Sequence, residues 1–527
     1  MDLKRARNPY VYASLTVVVI IMMGWLFGRV LATSDNTYLR VLLLQDVVNQ
    51  ISLRYVDNIP TDQLYRRAVE GLLKGLDPYT ELIPAEEYKR FQEQQIKSEY
   101  VGTGISIIRT NREIIVMSTF PGSSAYRQGV QPGDRMTRVN GQSTRDWTTE
   151  QVSLHLLGPE GTKVEVTISR PGLPEPINLT LTRMPVIVPT VTRHFMLNGN
   201  VGYLRLSNFT ERSTEELKTQ LQKLLAEGMK SLVLDLRDNA GGLTDPAINI
   251  CDLFLSGKTL IVSLRGRKNE DNKSYFSTAK PLFKDLPMAL LINEFTASSS
   301  EIVAGALQDH DRAVIVGRNS YGKGLVQTTF PLSTGDVLKI TTARYYTPSG
   351  RNIQRENYLP RRSAIEDEED TAPDTIARNV YYTDMGRKVR GGGGIAPDIV
   401  AEEDSAQSDP FIAEILPFSF DFAVAYKSMH PDLNKSFQAD RQVSDAFASY
   451  LKNQSLKIDQ KKLEKYRNYI TENLLTYHIA QVTWDENTAY RLIARSDKQL
   501  DKALEVLTSA TSQAEILKKI TIKEGSN

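Results

Sequence analysis

Two stretches, Ser231-Leu-Val-Leu-Asp-Leu236 and Met288-Ala-Leu-Leu-Ile292, constrain this chain most. Each is a continuous apolar run that leads through small residues into a helical pattern, and a strand without alternation is one buried on both faces. Buried strands alternating with helices predict an α/β domain. One such domain does not use up 527 residues. At about 100 to 200 residues per domain the chain should hold roughly three or four. Hydrophobic residues are 41% and charged residues 24% of the chain, which excludes both global disorder and a polytopic membrane protein. Lys plus Arg number 64 against 63 Asp plus Glu, a net charge of +1. No bulk field exists to draw in a polyanion, so nucleic acid is not an expected partner. The single cysteine, Cys251, rules out an intrachain disulfide and a Cys-rich zinc site. In the helical run Ile248-Asn-Ile-Cys-Asp-Leu-Phe254 it reads as core.

Lys4, Arg5 and Arg7 precede an uncharged stretch from Asn8 to Gly28, about the ~20 residues needed to span a bilayer. Basic residues stay on the cytoplasmic side, so residues 1 to 34 read as a membrane anchor or signal sequence that sends the body out of the cytoplasm. Val30-Leu31-Ala32 resembles a small-residue cleavage site, but the apolar stretch exceeds the ~7 to 15 residues of a signal peptide, and an uncleaved anchor is expected. Residues 35 to 97 read as a helical neck: Leu39, Val41, Leu42, Val47, Ile51 and Leu53 recur at helical intervals, and Leu64 to Leu76 runs to the stop Asp77-Pro78. From 98 to 184, short alternating runs near Ile105, Ile114 and Val164 lie between Gly and Pro turns, as in a compact β domain. Residues 185 to 400 hold the α/β pattern. Within them, Glu366-Asp-Glu-Glu-Asp370 reads as a solvated loop. Residues 401 to 527 read as helical, with Leu463, Tyr466, Ile470, Leu474 and Tyr477 on one face and Leu500, Ala503, Leu504 and Leu507 on another. Such stripes suit core packing or a subunit interface.

Gly317-Arg-Asn-Ser-Tyr-Gly322-Lys323-Gly324 satisfies a P-loop except at its last position. Gly324 replaces the hydroxyl that would hold Mg²⁺, and Leu325-Val-Gln-Thr-Thr-Phe330 reads as a strand where a phosphate-binding helix should start, so nucleotide binding is not expected. His155, His194, His310, His430 and His478 are scattered, and HExxH and GxSxG are absent. No metal and no other cofactor is expected. Thr296-Ala-Ser298-Ser299-Ser300-Glu301 follows an apolar strand and opens a helical run from Ile302 to Leu307. A serine at that junction is either an N-cap or a nucleophile whose developing charge is met by helix-terminal N–H groups. Lys323, between two glycines, shifts the balance. Desolvation disfavours its ammonium, and a neutral amine serves as general base for a serine hydroxyl.

In chain order, Asp235-Leu-Arg-Asp-Asn-Ala-Gly241-Gly242, Thr296-Ala-Ser298-Ser-Ser-Glu301-Ile302 and Tyr321-Gly-Lys323-Gly-Leu-Val-Gln327 resemble the carboxyl-terminal processing (tail-specific) serine protease family. The spacing of Ser298 and Lys323 is typical of it. Leu76-Asp-Pro-Tyr-Thr80, Tyr346-Thr-Pro-Ser-Gly350-Arg351 and Gly391-Gly-Gly-Gly-Ile395-Ala-Pro-Asp398 extend the likeness. The resemblance implies Ser298 as nucleophile, Lys323 as base and Gln327 as the residue orienting the lysine. It also implies an oxyanion hole from the amide of Gly241 or Gly242 with that of Ser299. Ser299 stands where the family's serine motif usually has Ala.

The β region resembles a PDZ domain, with Tyr100-Val-Gly102-Thr103-Gly104-Ile105 as its carboxylate-binding loop. Pro121-Gly-Ser-Ser-Ala125, Gln131-Pro-Gly-Asp134, Val139-Asn-Gly141 and Gly158-Pro-Glu-Gly-Thr162 match its later turns. Exposed amides of such a loop capture a C-terminal carboxylate while the peptide adds a strand to a sheet edge. The expected whole is multidomain, α/β and α+β: a transmembrane helix, a helical neck, a PDZ-like domain, an α/β serine protease core and a helical C-terminal region. Its expected activity is that of a Ser-Lys endopeptidase of the cell envelope, anchored in the inner membrane with its body in the periplasm or otherwise outside the cytoplasm. Its expected partners are proteins bound by their C-termini, and the helical regions leave room for a homo-oligomer.

Overall fold

The computed structural model describes residues 37–110, 112–197, 200–278, 281–355, 379–454 and 458–524. The expected anchor, 1–34, and the acidic run 366–370 lie outside them. Among the described residues no helix is long and apolar enough to cross a membrane. The chain divides into two units, one ending at Leu82 and one beginning at Ile83. The smaller holds α1 (Thr37–Arg54) and α2 (Thr61–Lys74). Pro60, with its φ already fixed, sets the start of α2. Beyond its end Asp77 closes a turn by accepting from the amides of Tyr79 and Thr80 and from the Thr80 hydroxyl. Leu39, Val41, Leu43, Val47 and Leu53 of α1 are exposed.

The larger unit opens with α3 (Ala85–Phe91), so the stretch expected as one neck is divided between the two units. A β module follows: β1 (Glu99–Gly102), β2 (Ile105–Thr110), β3 (Glu113–Thr119), β4 (Arg135–Val139), α4 (Thr149–Leu156), β5 (Lys163–Ser169), β6 (Ile177–Thr182) and β7 (Met184–Ile187). Strands β2-β3-β4-β5-β6 form an antiparallel sheet, and β1 pairs with β7, so the module's entry and exit share one stem. In β5, buried Val164, Val166 and Ile168 alternate with more exposed residues, as the two-residue period of a one-faced strand requires. β3 does not alternate. Ile114 and Val116 enter the module's own core, while Ile115 enters a second core built by the C-terminal helices. Covering both faces of β3 is the reason Ile114-Ile-Val-Met117 is apolar throughout.

The α/β layers comprise β8 (Val191–Leu197), β9 (Val201–Leu206), α5 (Ser213–Ala226), β10 (Ser231–Asp235), α6 (Thr244–Asp252), β11 (Leu260–Gly266), β12 (Lys273–Phe276), β13 (Met288–Ile292), α7 (Ser299–Asp309), β14 (Val314–Gly317), β15 (Leu325–Pro331), β16 (Val337–Tyr346) and β17 (Ile399–Val400). The central sheet runs β8-β9-β10-β13-β14-β17, parallel except for β8. A second, antiparallel set runs β12-β11-β16, with β15 also on β16. Leu232, Leu234, Met288 and Leu290 face a core with Leu217, Leu221, Ile250 and Val303 of α5, α6 and α7.

The chain closes with α8 (Pro410–Met429), α9 (Thr476–Thr483), α10 (Glu486–Ile493) and α11 (Lys498–Thr508), among further helices. Tyr490, Leu500, Leu504 and Leu507 cover the other face of the central sheet against Val233, Ala289 and Leu291. Each fully buried leucine of this sandwich contributes on the order of 2 kcal/mol. Phe411, Phe418 and Val424 of α8, with Leu463 and Ile470, pack on the β module beside Ile115. Arg135 of β4 also pairs with Asp421 of α8 at 2.7 Å. The C-terminal helices therefore bind both the β module and the central sheet.

Candidate active site

Strands β10, β13 and β14 are parallel neighbours, so the loops that follow them leave the sheet at one edge, the carboxyl edge where open α/β sheets bind ligands. Hydrogen bonds lace the three loops. Ala297 N–H donates to Asn239 O at 3.0 Å, and Tyr321 N–H to Thr296 O at 2.9 Å. The loop after β10 is fixed at its root by Arg237, which pairs with Asp235 at 2.6 Å and with Asp497 of the C-terminal region at 2.8 Å. Burial alone would raise the Asp235 carboxyl, but Arg237 and Arg205 hold it well below the usual carboxylate range. Buried Asn239 then shapes the turn: its Nδ2 donates to Leu206 O and its Oδ1 accepts from Gly241 N–H at 2.9 Å. Gly241 has φ +99°, and a Cβ there would stand 2.8 Å from both Ala297 O and Ser298 Cβ. Only glycine lets this loop lie so close against the serine turn.

Ser298 links β13 to α7 at φ +55°, ψ −116°, a region that costs a residue bearing a Cβ about 1 to 3 kcal/mol. Both its peptide groups are held: its N–H donates to Glu301 Oε2 at 2.8 Å, and its carbonyl accepts from the Tyr345 hydroxyl at 3.2 Å. Ser298 is half-buried, whereas Ser299 and Ser300 are buried. Ser299 Oγ donates to the carbonyls of Gly242 and Leu243 at 2.9 and 3.0 Å, and Ser300 Oγ to Asn239 O at 2.9 Å. No such bond ties Ser298 Oγ among the described residues. The Gly241 N–H is engaged by Asn239. The N–H groups of Gly242 and Ser299 make no hydrogen bond among the described residues.

Lys323 is half-buried in the loop after β14. Its N–H donates to Glu301 Oε2 at 2.9 Å, and a Cβ on Gly324 would meet Gln354 N at 2.9 Å, so the lysine sits where two chain segments touch. Gln327, on β15, donates from Nε2 to Thr341 Oγ1 of β16 at 3.2 Å. The P-loop look of this segment dissolves in the structure: its Gly322 and Lys323 amides go to a carboxylate, and a strand follows. His310 lies at the far end of α7, bonded to Asp384 and Leu260 O. His478 is buried on Ser419 Oγ. Among the described residues no group of His, Cys, Asp and Glu is arranged to hold a metal ion.

Glu301, Asn239 and Tyr345 are the residues of this site to which the sequence reading assigned no role. Glu301 carried one signal, since Ser298-x-x-Glu301 has capping-box spacing. Asn239 carries none beyond its place in the Asp235 to Gly242 motif, and Tyr345 lies outside every motif. In the β module, Gly102 ends β1, Gly104 stands at φ +78°, and Ile105 opens β2. A Cβ on Gly104 would collide with Ser123 Cβ at 2.2 Å. Thr103 is buried, and its Oγ1 has no hydrogen-bond partner. β2 is an edge strand, with α4 packed beside it.

Residues 200–362 match the family model of peptidase family S41, and residues 91–169 that of the PDZ domain. A carboxy-terminal-processing protease of Bartonella bacilliformis is 39% identical over 325 residues, which are 61% of this chain and 74% of that protein. A CtpA-like serine protease of Staphylococcus aureus is 32% identical over 355 residues, 64% of this chain and 70% of that one. Among solved structures, the photosystem II D1 C-terminal processing protease is 27% identical, covering 59% of this chain and 90% of its own, at a TM-score of 0.35. An S41 catalytic domain joined to a PDZ domain makes this chain a serine protease. It belongs to the carboxy-terminal-processing protease family.

Proposed function

We propose that the protein is a cell-envelope endopeptidase in which Ser298 is the nucleophile and Lys323 its general base, supplied with substrates by a PDZ module that captures protein C-termini. In this reading the Lys323 amine takes the proton from Ser298 Oγ as the oxygen attacks the scissile carbonyl. The N–H groups of Gly242 and Ser299 receive the developing oxyanion. The lysine then gives its proton to the leaving amine, and water cleaves the acyl-serine by the same steps reversed. One observation carries this reading. Of three consecutive hydroxyls, those of Ser299 and Ser300 are committed to main-chain carbonyls, and that of the half-buried Ser298 is not.

Gln327 steadies the lysine from β15, whose ladder partner among the described residues is β16 alone, leaving an edge where an extended substrate can pair. The Gly102-Thr103-Gly104-Ile105 loop takes the terminal carboxylate and the edge of β2 the strand before it. Residues 1–34 tether the enzyme to the inner membrane with its body outside the cytoplasm, and the exposed apolar side chains of α1 offer a surface for a homo-oligomer. A fluorophosphonate probe, located by fragmentation of the labelled peptide, should sit on Ser298. Lys323→Ala should lose about 10³-fold in peptide cleavage and Gln327→Ala only several-fold. An adduct on Ser299 or Ser300, or wild-type turnover in Lys323→Ala, would overturn the assignment. Protease accessibility in spheroplasts tests the location, and a body protected inside the cell contradicts it.

A further inference from the structure

Glu301 holds none of the chemical roles above, yet its carboxylate accepts four hydrogen bonds beside the site. It is fully buried, three residues past Ser298 in the first turn of α7. Its Oε2 accepts from Ser298 N–H at 2.8 Å and from Lys323 N–H at 2.9 Å. Its Oε1 accepts from Gly322 N–H at 2.8 Å and from Ser320 Oγ at 2.5 Å. Ser298 and Lys323 lie on loops separated by α7 and β14, and one oxygen atom bridges their two main chains. Burial raises the Glu301 carboxyl above the ordinary carboxylate range, while the bonds from Ser320, Lys323, Gly322 and Ser298 work the other way.

Helix capping does not account for this arrangement. A capping glutamate has to reach only the N-cap N–H, which here is that of Ser298. The other three donors all come from the lysine loop and belong to no helix. Burying a carboxylate costs several kcal/mol, which favours a neutral group unless the charge is needed. A glutamine could not replace it in kind: four donors converge, and an amide brings two more N–H bonds among them. What the carboxylate does that a cap does not is fix the distance between the serine turn and the lysine loop.

We propose that Glu301 is a positioning residue for catalysis, setting the geometry of Ser298 and Lys323 by holding both main chains on one carboxylate oxygen. The inference rests on the dyad reading given above, and the test separates the two. In the full chain, Glu301→Gln should lower kcat on a peptide reporter about 100-fold, the loss expected of a misplacement near 1 Å. KM should stay within about twofold, because the substrate is held by other groups. The rate of fluorophosphonate labelling per folded molecule should fall in step with kcat. Ser320→Ala removes one donor to Oε1 and nothing from the dyad, and should lower kcat several-fold with KM unchanged.

A Glu301→Gln enzyme with kcat within about threefold of wild type overturns the proposal. So does a loss of activity matched by loss of folded protein, with the labelling rate per folded molecule unchanged. If Glu301→Gln does not fold, Ser320→Ala decides, and wild-type kcat there overturns it. An adduct on a serine other than Ser298 overturns the dyad reading itself, and the proposal with it.

Discussion

The two ends of α7 are built by opposite rules. At its C-terminal end Asp309 and Arg351 pair at 2.7 Å with both side chains buried, and Arg351 also reaches Gln308 Oε1 and Arg390 O. Asp311, just beyond, pairs with Arg387 at 2.6 Å, and Arg387 also holds Asp398 at 2.5 Å. At the N-terminal end Ser298 is strained, and the Gly242 and Ser299 N–H groups make no bond among the described residues. A buried charge left unpaired undermines a fold, so at the C-terminal end each of these buried carboxylates has an arginine partner. A helix N-terminus with uncommitted donors stabilises developing negative charge, provided rigid neighbours keep those donors in place. Within one eleven-residue helix, the uncommitted hydrogen-bonding groups lie at one end and the densest charges at the other, and the proposed chemistry uses the first.

The largest expected effect falls on the uncommitted end. Ser298→Ala should lower kcat by at least about 10⁴-fold without lowering the melting temperature. Ser299→Ala and Ser300→Ala remove hydroxyls already bound to carbonyls and should cost only several-fold. A Ser299→Ala loss as deep as that of Ser298→Ala would break the contrast. The committed end should answer the other way. Asp309→Ala leaves Arg351 buried without its carboxylate and should cost about 3 to 5 kcal/mol in denaturant unfolding, with kcat per folded molecule unchanged.

A buried interior also sets an acid limit, and His478 on α9 reports it. Burial lowers its imidazole to about 4, against about 6.5 in an unfolded chain. The unfolded state therefore binds the proton first. Stability from this group is complete above about pH 6.5 and drains away as pH falls toward 4, by roughly 3 kcal/mol in total. Urea midpoints measured across that window should fall less steeply in His478→Gln than in wild type. Equal slopes would mean that acid acts elsewhere.

Why one end was legible in sequence and the other was not follows from range. Ser298, Lys323 and the strands Ser231 to Asp235 and Met288 to Ile292 announce themselves through local order: apolar runs, glycines beside a lysine, hydroxyls at a helix start. The Asp309–Arg351 and Arg237–Asp497 pairs join residues far apart in the chain, and no local pattern marks them. Glu301 was visible only as a cap, because its three further donors return from beyond β14. The run Ile114 to Met117 reads as alternating from sequence, whereas Ile114, Ile115 and Val116 are all buried, because the β module has a second covered face there. That α8 supplies the cover could not be read, since the stripes of 401 to 527 show an apolar face but not its partner.

The smallest effect separates strain from hydrogen bonding at Ser298. Ser298→Gly and Ser298→Ala both lack the hydroxyl, so activity cannot distinguish them and stability can. At φ +55°, ψ −116° a Cβ costs about 1 to 3 kcal/mol, which alanine keeps and glycine sheds. Glycine also loses about 0.4 to 1 kcal/mol through the greater freedom of its unfolded chain. The glycine variant should therefore be the more stable of the two by about 1 kcal/mol in denaturant unfolding. A gap of that size means that the bonds from Glu301 and Tyr345 hold Ser298 against its own backbone preference, as its proposed role of nucleophile requires. An alanine variant as stable as the glycine one would show the turn to be relaxed, and the difference between the two ends of α7 would then reduce to which donors are occupied.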